Sequence, residues 1–110
     1  MDLYNELQIK INELNVSIKK LRETGTEYAE AEKEYKIKLR EEALKLRTQK
    51  DMPVTLIQQV VYGVPEVADK RFHRDVKEAI YQANKEAIMS IKLQIRIIEN
   101  QLQREFNETH

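Results

Sequence analysis

The chain has no cysteine and no tryptophan, and its 110 residues include only two glycines and two prolines. Without cysteine it has no disulfides, thiolate metal sites or cysteine nucleophiles, and it suits a reducing compartment, so a cytoplasmic location is the default expectation. With only Gly25 and Gly63 there is no glycine-rich phosphate loop. So few turn-forming residues leave room for very few secondary elements. No apolar run approaches the roughly 20 residues that a bilayer crossing needs. The start, Met1-Asp2-Leu3-Tyr4-Asn5-Glu6, has neither a basic cluster nor an apolar core, and reads as no secretory signal. A large charge of either sign is also missing. Lys and Arg total 19, as do Asp and Glu, so the molecule as a whole does not attract polyanions.

What the chain does have is periodicity. From Leu3 to Leu46 the apolar positions run Leu7, Ile11, Leu14, Ile18, Leu21, Gly25, Tyr28, Ala31, Tyr35, Leu39 and Ala43, a spacing of about 3.6 residues per step. This predicts one helix over about 3–49, roughly 70 Å long at helical rise, continuous through Gly25 because the stripe stays in phase there. Asp51-Met52-Pro53 breaks the pattern, since proline disfavours helical backbone in the residue before it and suits a first turn. A short helix is expected over about 53–62, its apolar face formed by Leu56, Ile57, Val60 and Val61. Gly63 is expected to end it in a left-handed conformation, and Pro65 to open the next helix. That second long helix, about 66–107, carries Ala68, Phe72, Val76, Ala79, Ala83, Ala87, Ile91, Ile95, Ile98, Leu102 and Phe106. Asn107 to His110 are expected to fray.

These elements predict an all-α fold, a single domain over 1–110. Its form is a long antiparallel helical hairpin with a short helix at the corner. Corners near residues 48 and 66 place facing positions at sums of about 114, pairing Tyr35 with Ala79, Ala31 with Ala83, Tyr28 with a position near Ala87 and Leu21 with Leu93, so that the two tyrosines face alanines. Ile80, Ile88, Leu93 and Ile97 widen the apolar face beyond what one hairpin buries. Leaving them in water forgoes burial at ~25 cal/mol per Å². They are therefore the expected oligomer face, and two hairpins are expected to form a two-fold dimer, a four-helix bundle.

For chemistry, the residues offer three candidates. Glu27, Glu30 and Glu34 lie on adjacent turns, and Asp75 with Glu78 supplies a second pair, the arrangement with which all-α hydrolases hold Mg²⁺. The same glutamates, interleaved with Lys33 and Lys36, also read as an ordinary solvated face. Asp69 and His73 share a helix face as two ligands or an oriented base, but no third ligand accompanies them, and His110 is the final residue. The third candidate is electrostatic. Residues 36–77 hold ten Lys or Arg and six Asp or Glu, a net +4, while 1–35 sum to −3 and 78–110 to −1. Lys45, Arg47, Lys50, Lys70, Arg71, Arg74 and Lys77 then gather at the corner as possible nucleic-acid contacts. Equally, they solubilise helix ends and favour the negative end of a helix dipole. No catalytic, cofactor-binding or metal-binding residue is assigned, and no cofactor is expected.

The stretches Met52-Pro53-Val54-Thr55-Leu56-Ile57 and Val61-Tyr62-Gly63-Val64-Pro65-Glu66-Val67-Ala68, with the run from Asp75 to Phe106, resemble small uncharacterised helical proteins of phages and prophages of Gram-positive bacteria. The similarity is best in the second half, at Tyr62-Gly63, Pro65-Glu66, Arg71, Asp75, Glu78-Ala79, Tyr81, Ala83, Glu86-Ala87, Lys92, Ile95-Arg96 and Gln101. The resemblance implies a phage accessory protein from a neighbourhood concerned with DNA replication or recombination, and carries over no active site. The reading that follows is a non-enzymatic helical scaffold or adaptor in the host cytoplasm, dimeric, with an unknown protein partner. The alternatives are a nucleic-acid-binding accessory protein and a Mg-dependent hydrolase.

Overall fold

A computed structural model describes residues 2–109, and among them the fold is all-α, without a strand. Helix α1 spans Leu3–Gln49, α2 spans Val54–Val60, a 3-10 turn follows at Val61–Gly63, and α3 spans Pro65–Thr109. The described residues form two compact units. A terminal unit runs up to Thr24 and resumes at Tyr81, and a corner unit is Gly25–Ile80.

Local chemistry sets each boundary. Asp2 caps α1: its carboxylate accepts from the Asn5 backbone N–H at 2.8 Å, satisfying one of the donors that a helix start leaves unpaired. α1 runs unbroken through Gly25, as the phase of its stripe predicts. It ends where Asp51 turns left-handed at φ 50°, a conformation that aspartate tolerates better than most residues. The Met52 N–H then reaches back to the Leu46 carbonyl at 3.2 Å. The left-handed residue is thus Asp51. Gly63, expected in that role, sits in the 3-10 turn with no positive φ. Val64 is extended, as a residue before proline must be, and Pro65 opens α3, whose last described turn reaches Thr109 rather than stopping at 107. His110 lies outside the described residues.

In the corner unit, Tyr35, Ile57, Val61 and Val67 form a core, with Leu39, Ala43, Leu46, Met52 and Val64 packed against it. Val67 is wholly buried, at 0% exposure. The corner segment, α2 and the 3-10 turn, therefore covers the last turns of α1. This displaces the start of α3 down the helix, so Glu27 meets Lys77 and Glu34 meets Lys70, both pairs summing to 104. The corner-derived value of 114 is accordingly wrong. Tyr35 packs with Val67 and lies under Arg74, and Ala79 is exposed.

In the terminal unit, the α1 residues kept from full exposure include Leu3, Leu7, Lys10, Leu14, Ser17, Leu21 and Thr24. On α3 they include Tyr81, Asn84, Ile88, Ile91, Ile95, Ile98 and Leu102. Both series alternate steps of three and four, the 3.5-residue repeat of a coiled-coil seam. Within the corner unit, α3 continues the same alternation at Val67, Lys70, Arg74 and Lys77, with the three charged residues partly covered. The expected stripe through Phe72, Val76, Ala79, Ala83 and Ala87 instead faces solvent, Phe72 at 70% exposure. Long basic side chains can bury their stems while their heads reach partner carboxylates, so the more polar side of the helix is the one that packs. Leu93, exposed, does not meet Leu21 as the longer sum required.

Candidate functional site

The seven cations expected at the basic corner are mostly engaged within the corner unit. Lys45 pairs with Glu42 at 3.2 Å, Lys70 with Glu34 at 3.4 Å and Lys77 with Glu27 at 3.0 Å. Arg47 donates to the Met52 carbonyl at 3.1 Å, tying the end of α1 to the chain that leaves it. Arg71 lies over the Tyr62 ring at 5.8 Å. Lys50, just past α1, is exposed. Six of the seven thus contact a carboxylate, a carbonyl or an aromatic face within the unit.

Arg74 is the most engaged of them. Its guanidinium bonds Asp75 at 2.8 Å, approaches Glu32 at 3.5 Å and stands 4.6 Å from the centre of the Tyr35 ring. Burial works against its charge, but the hydrogen bond to Asp75 and the charges of Asp75 and Glu32 outweigh it and raise the arginine above its ordinary value. Nearby, burial pushes the Tyr28 phenol up, and Glu78 and Glu32 push it further, against the opposing charge of Arg74. This is an inward-facing network of charge and aromatic rings, with Arg74 as its hub. Sequence reading placed Arg74 among outward cations; the missed signal was its position in the three-and-four alternation from Val67 to Lys77.

Three of the five carboxylates considered for Mg²⁺ are ion-paired, while Glu30 is exposed. Glu27 and Glu34 pair with lysines of α3, and Asp75 with Arg74. Among the described residues, no three His, Asp or Glu side chains converge as a metal site would require. Asp69 and His73 are both exposed.

Of the expected oligomer face, Ile88 is corrected: it is buried in the terminal seam at 8% exposure, because it occupies an inner position of the repeat. Leu93 and Ile97 in the terminal unit remain exposed at 55% and 50%, joined by Met89 at 69%, and Ile80 is exposed in the corner unit.

Compared with protein-family models, curated proteins and solved structures, the chain matches none.

The chemistry therefore rests on this chain alone. No helix of the described residues is long and apolar enough to cross a membrane. Asn84 is the polar residue that sequence reading passed over. Its side-chain amide donates to the Ser17 carbonyl at 3.1 Å, and its oxygen accepts the Thr24 hydroxyl at 2.8 Å. Its place among Ile88, Ile91, Ile95, Ile98 and Leu102 on the inner side of α3 is the signal that identifies such a register pin.

Proposed function

We propose that the protein is a non-enzymatic helical scaffold or adaptor that self-associates and acts by binding another macromolecule. The observation that carries this reading is the outer side of α3 in the terminal unit. Met89, Leu93 and Ile97, spaced four residues apart, stay exposed although the seam already buries Ile88 and Ile98 and partly covers Ile91 and Ile95. Apolar residues in register on the outside of a packed helix favour a protein neighbour over water. In this reading the chain forms an antiparallel hairpin, and two copies bury these faces in a two-fold four-helix bundle. The setting is the cytoplasm, the accessory role the one that the phage resemblance implies. The pairing of the corner cations with carboxylates and rings supports a protein partner over nucleic acid.

The test is sedimentation equilibrium of the wild type beside Leu93→Glu/Ile97→Glu. The wild type is expected at dimer mass and the variant at monomer mass, with helical circular dichroism retained by both. A wild type that stays monomeric at high concentration, or a variant of unchanged mass, would remove the self-association face.

A further inference from the structure

One side of α1 in the corner unit carries cations that form no ion pair with another helix. Lys33, Lys36 and Arg40 follow one another at steps of three and four, with half-exposed Ile37 among them. Among the described residues, neither Lys33 nor Arg40 has a carboxylate within ion-pair distance. Lys36 reaches only Glu32 on its own helix, at 3.6 Å, with 71% of its side chain exposed. Such an exposed pair within one helix contributes little.

These cations border an open groove of about 420 Å³ between α1 and the corner segment. Its floor is apolar: Leu39 and Ala43 from α1, Ile57 and Val61 from the corner. Lys36 and Arg40 stand on one rim, and Gln58 and Tyr62 on the other side. A second hollow of about 410 Å³ meets the first at Lys36 and Arg40 and adds Ala29, Glu32, Lys33 and Ile37, so that three cations stand there beside one carboxylate. The floor residues belong to, or pack against, the corner core, so the groove is held by the part of the unit with the deepest burial.

An aliphatic floor beside exposed cations in excess of their carboxylates selects a ligand that is both apolar and anionic. A nucleic-acid strand satisfies the cations but offers no aliphatic surface for Leu39, Ala43, Ile57 and Val61, and Tyr62 is the single ring available for base stacking along this groove. An amphipathic helix satisfies both: apolar side chains at helical spacing enter the groove, and flanking carboxylates meet Lys33, Lys36 and Arg40. We infer that this groove docks an acidic amphipathic helix of a partner protein. The inference rests on the adaptor reading and names the partner's chemistry.

The test is fluorescence anisotropy of a labelled peptide with leucines at helical spacing and glutamates on both flanks. Comparison probes are a scrambled peptide of the same composition, the peptide corresponding to residues 97–110 of this chain, and an oligo-dT strand. Saturable binding of the acidic helix is expected, weakened about tenfold or more by Lys36→Glu/Arg40→Glu and by scrambling. Lys85→Glu/Lys92→Glu, in the terminal unit, is expected to leave it within about twofold. Because Lys36 and Arg40 are exposed, the double variant is expected to retain its helicity and wild-type sedimentation mass, so failure of the groove is read apart from failure of the self-association face. An absence of saturable binding, or an affinity indifferent to charge reversal or scrambling, overturns the proposal. Tighter binding of the 97–110 peptide would assign the groove to a second copy, and tighter binding of oligo-dT to nucleic acid; either result displaces the proposed occupant.

Discussion

The side chain of Asn84 spans two turns of α1, accepting the Thr24 hydroxyl at 2.8 Å and donating to the Ser17 carbonyl at 3.1 Å. Thr24 shares its single hydroxyl proton between Asn84 and the Leu21 carbonyl, the latter at 3.3 Å. Sliding this seam by one turn breaks this pair of hydrogen bonds. A polar residue in such a seam fixes alignment at some cost in stability.

Two substitutions at Asn84 separate those effects. Asn84→Ala removes the hydrogen bonds without filling the space, and is expected to lower stability by about 1 kcal/mol in chemical denaturation. Asn84→Leu is expected to match or exceed wild-type stability, but to double amide resonances around Ser17 and Thr24 as a second alignment becomes populated. A single set of resonances in the leucine variant would show that the leucine stripe alone fixes the alignment.

Arg74 and Glu34 offer a contrast within the corner unit. Glu34→Ala breaks an exposed pair with Lys70 and is expected to change stability by less than about 0.5 kcal/mol, an effect that added salt erases. Arg74→Ala removes a guanidinium that covers the Tyr35 ring and joins Glu32 and Asp75, and is expected to cost about 1 to 2 kcal/mol. Most of that loss should persist in high salt. Equal losses in the two variants would mean that Arg74 acts only as another surface charge.

Gly63 is expected to tolerate a side chain. It has no positive φ, and a Cβ added there meets no atom within 4 Å. Gly63→Ala therefore restricts the unfolded chain without straining the folded one, and is expected to raise stability by about 0.4 to 1 kcal/mol in a melting experiment. A lowered melting temperature would show that the turn needs glycine after all.

Much of the architecture was legible because helical period, proline positions and the scarcity of glycine all point the same way. The bounds of α1 follow from its stripe, and Pro53 and Pro65 bracket the corner as proline chemistry requires. The packing side of the first half of α3 was not legible from apolar character. Phe72, Val76 and Ala79 mark one side, yet Val67, Lys70, Arg74 and Lys77 pack. Only the unbroken alternation of three and four from Val67 to Leu102 marks the correct side, and it requires lysine and arginine to count as seam residues. Nor did the basic corner announce that its cations were already engaged, since Glu34 and Glu27 lie 36 and 50 positions from the lysines they meet. The groove beside Lys36 and Arg40 was equally hidden, because α2 had to be seated on α1 before it had walls.

The corner core also sets an order of events. Tyr35, Ile57, Val61 and Val67 come from one continuous stretch of chain, so their contacts close short loops and can form while the rest of the polypeptide is still being made. Asn84, by contrast, meets Thr24 and Ser17 across separations of 60 and 67 residues. On the ribosome, the leucines at positions 3, 7, 14 and 21 emerge before the corner unit and must wait for α3 before they are covered. The nascent chain therefore carries an unsheathed leucine stripe until α3 has been made, which makes that stretch of α1 the one most in need of a chaperone.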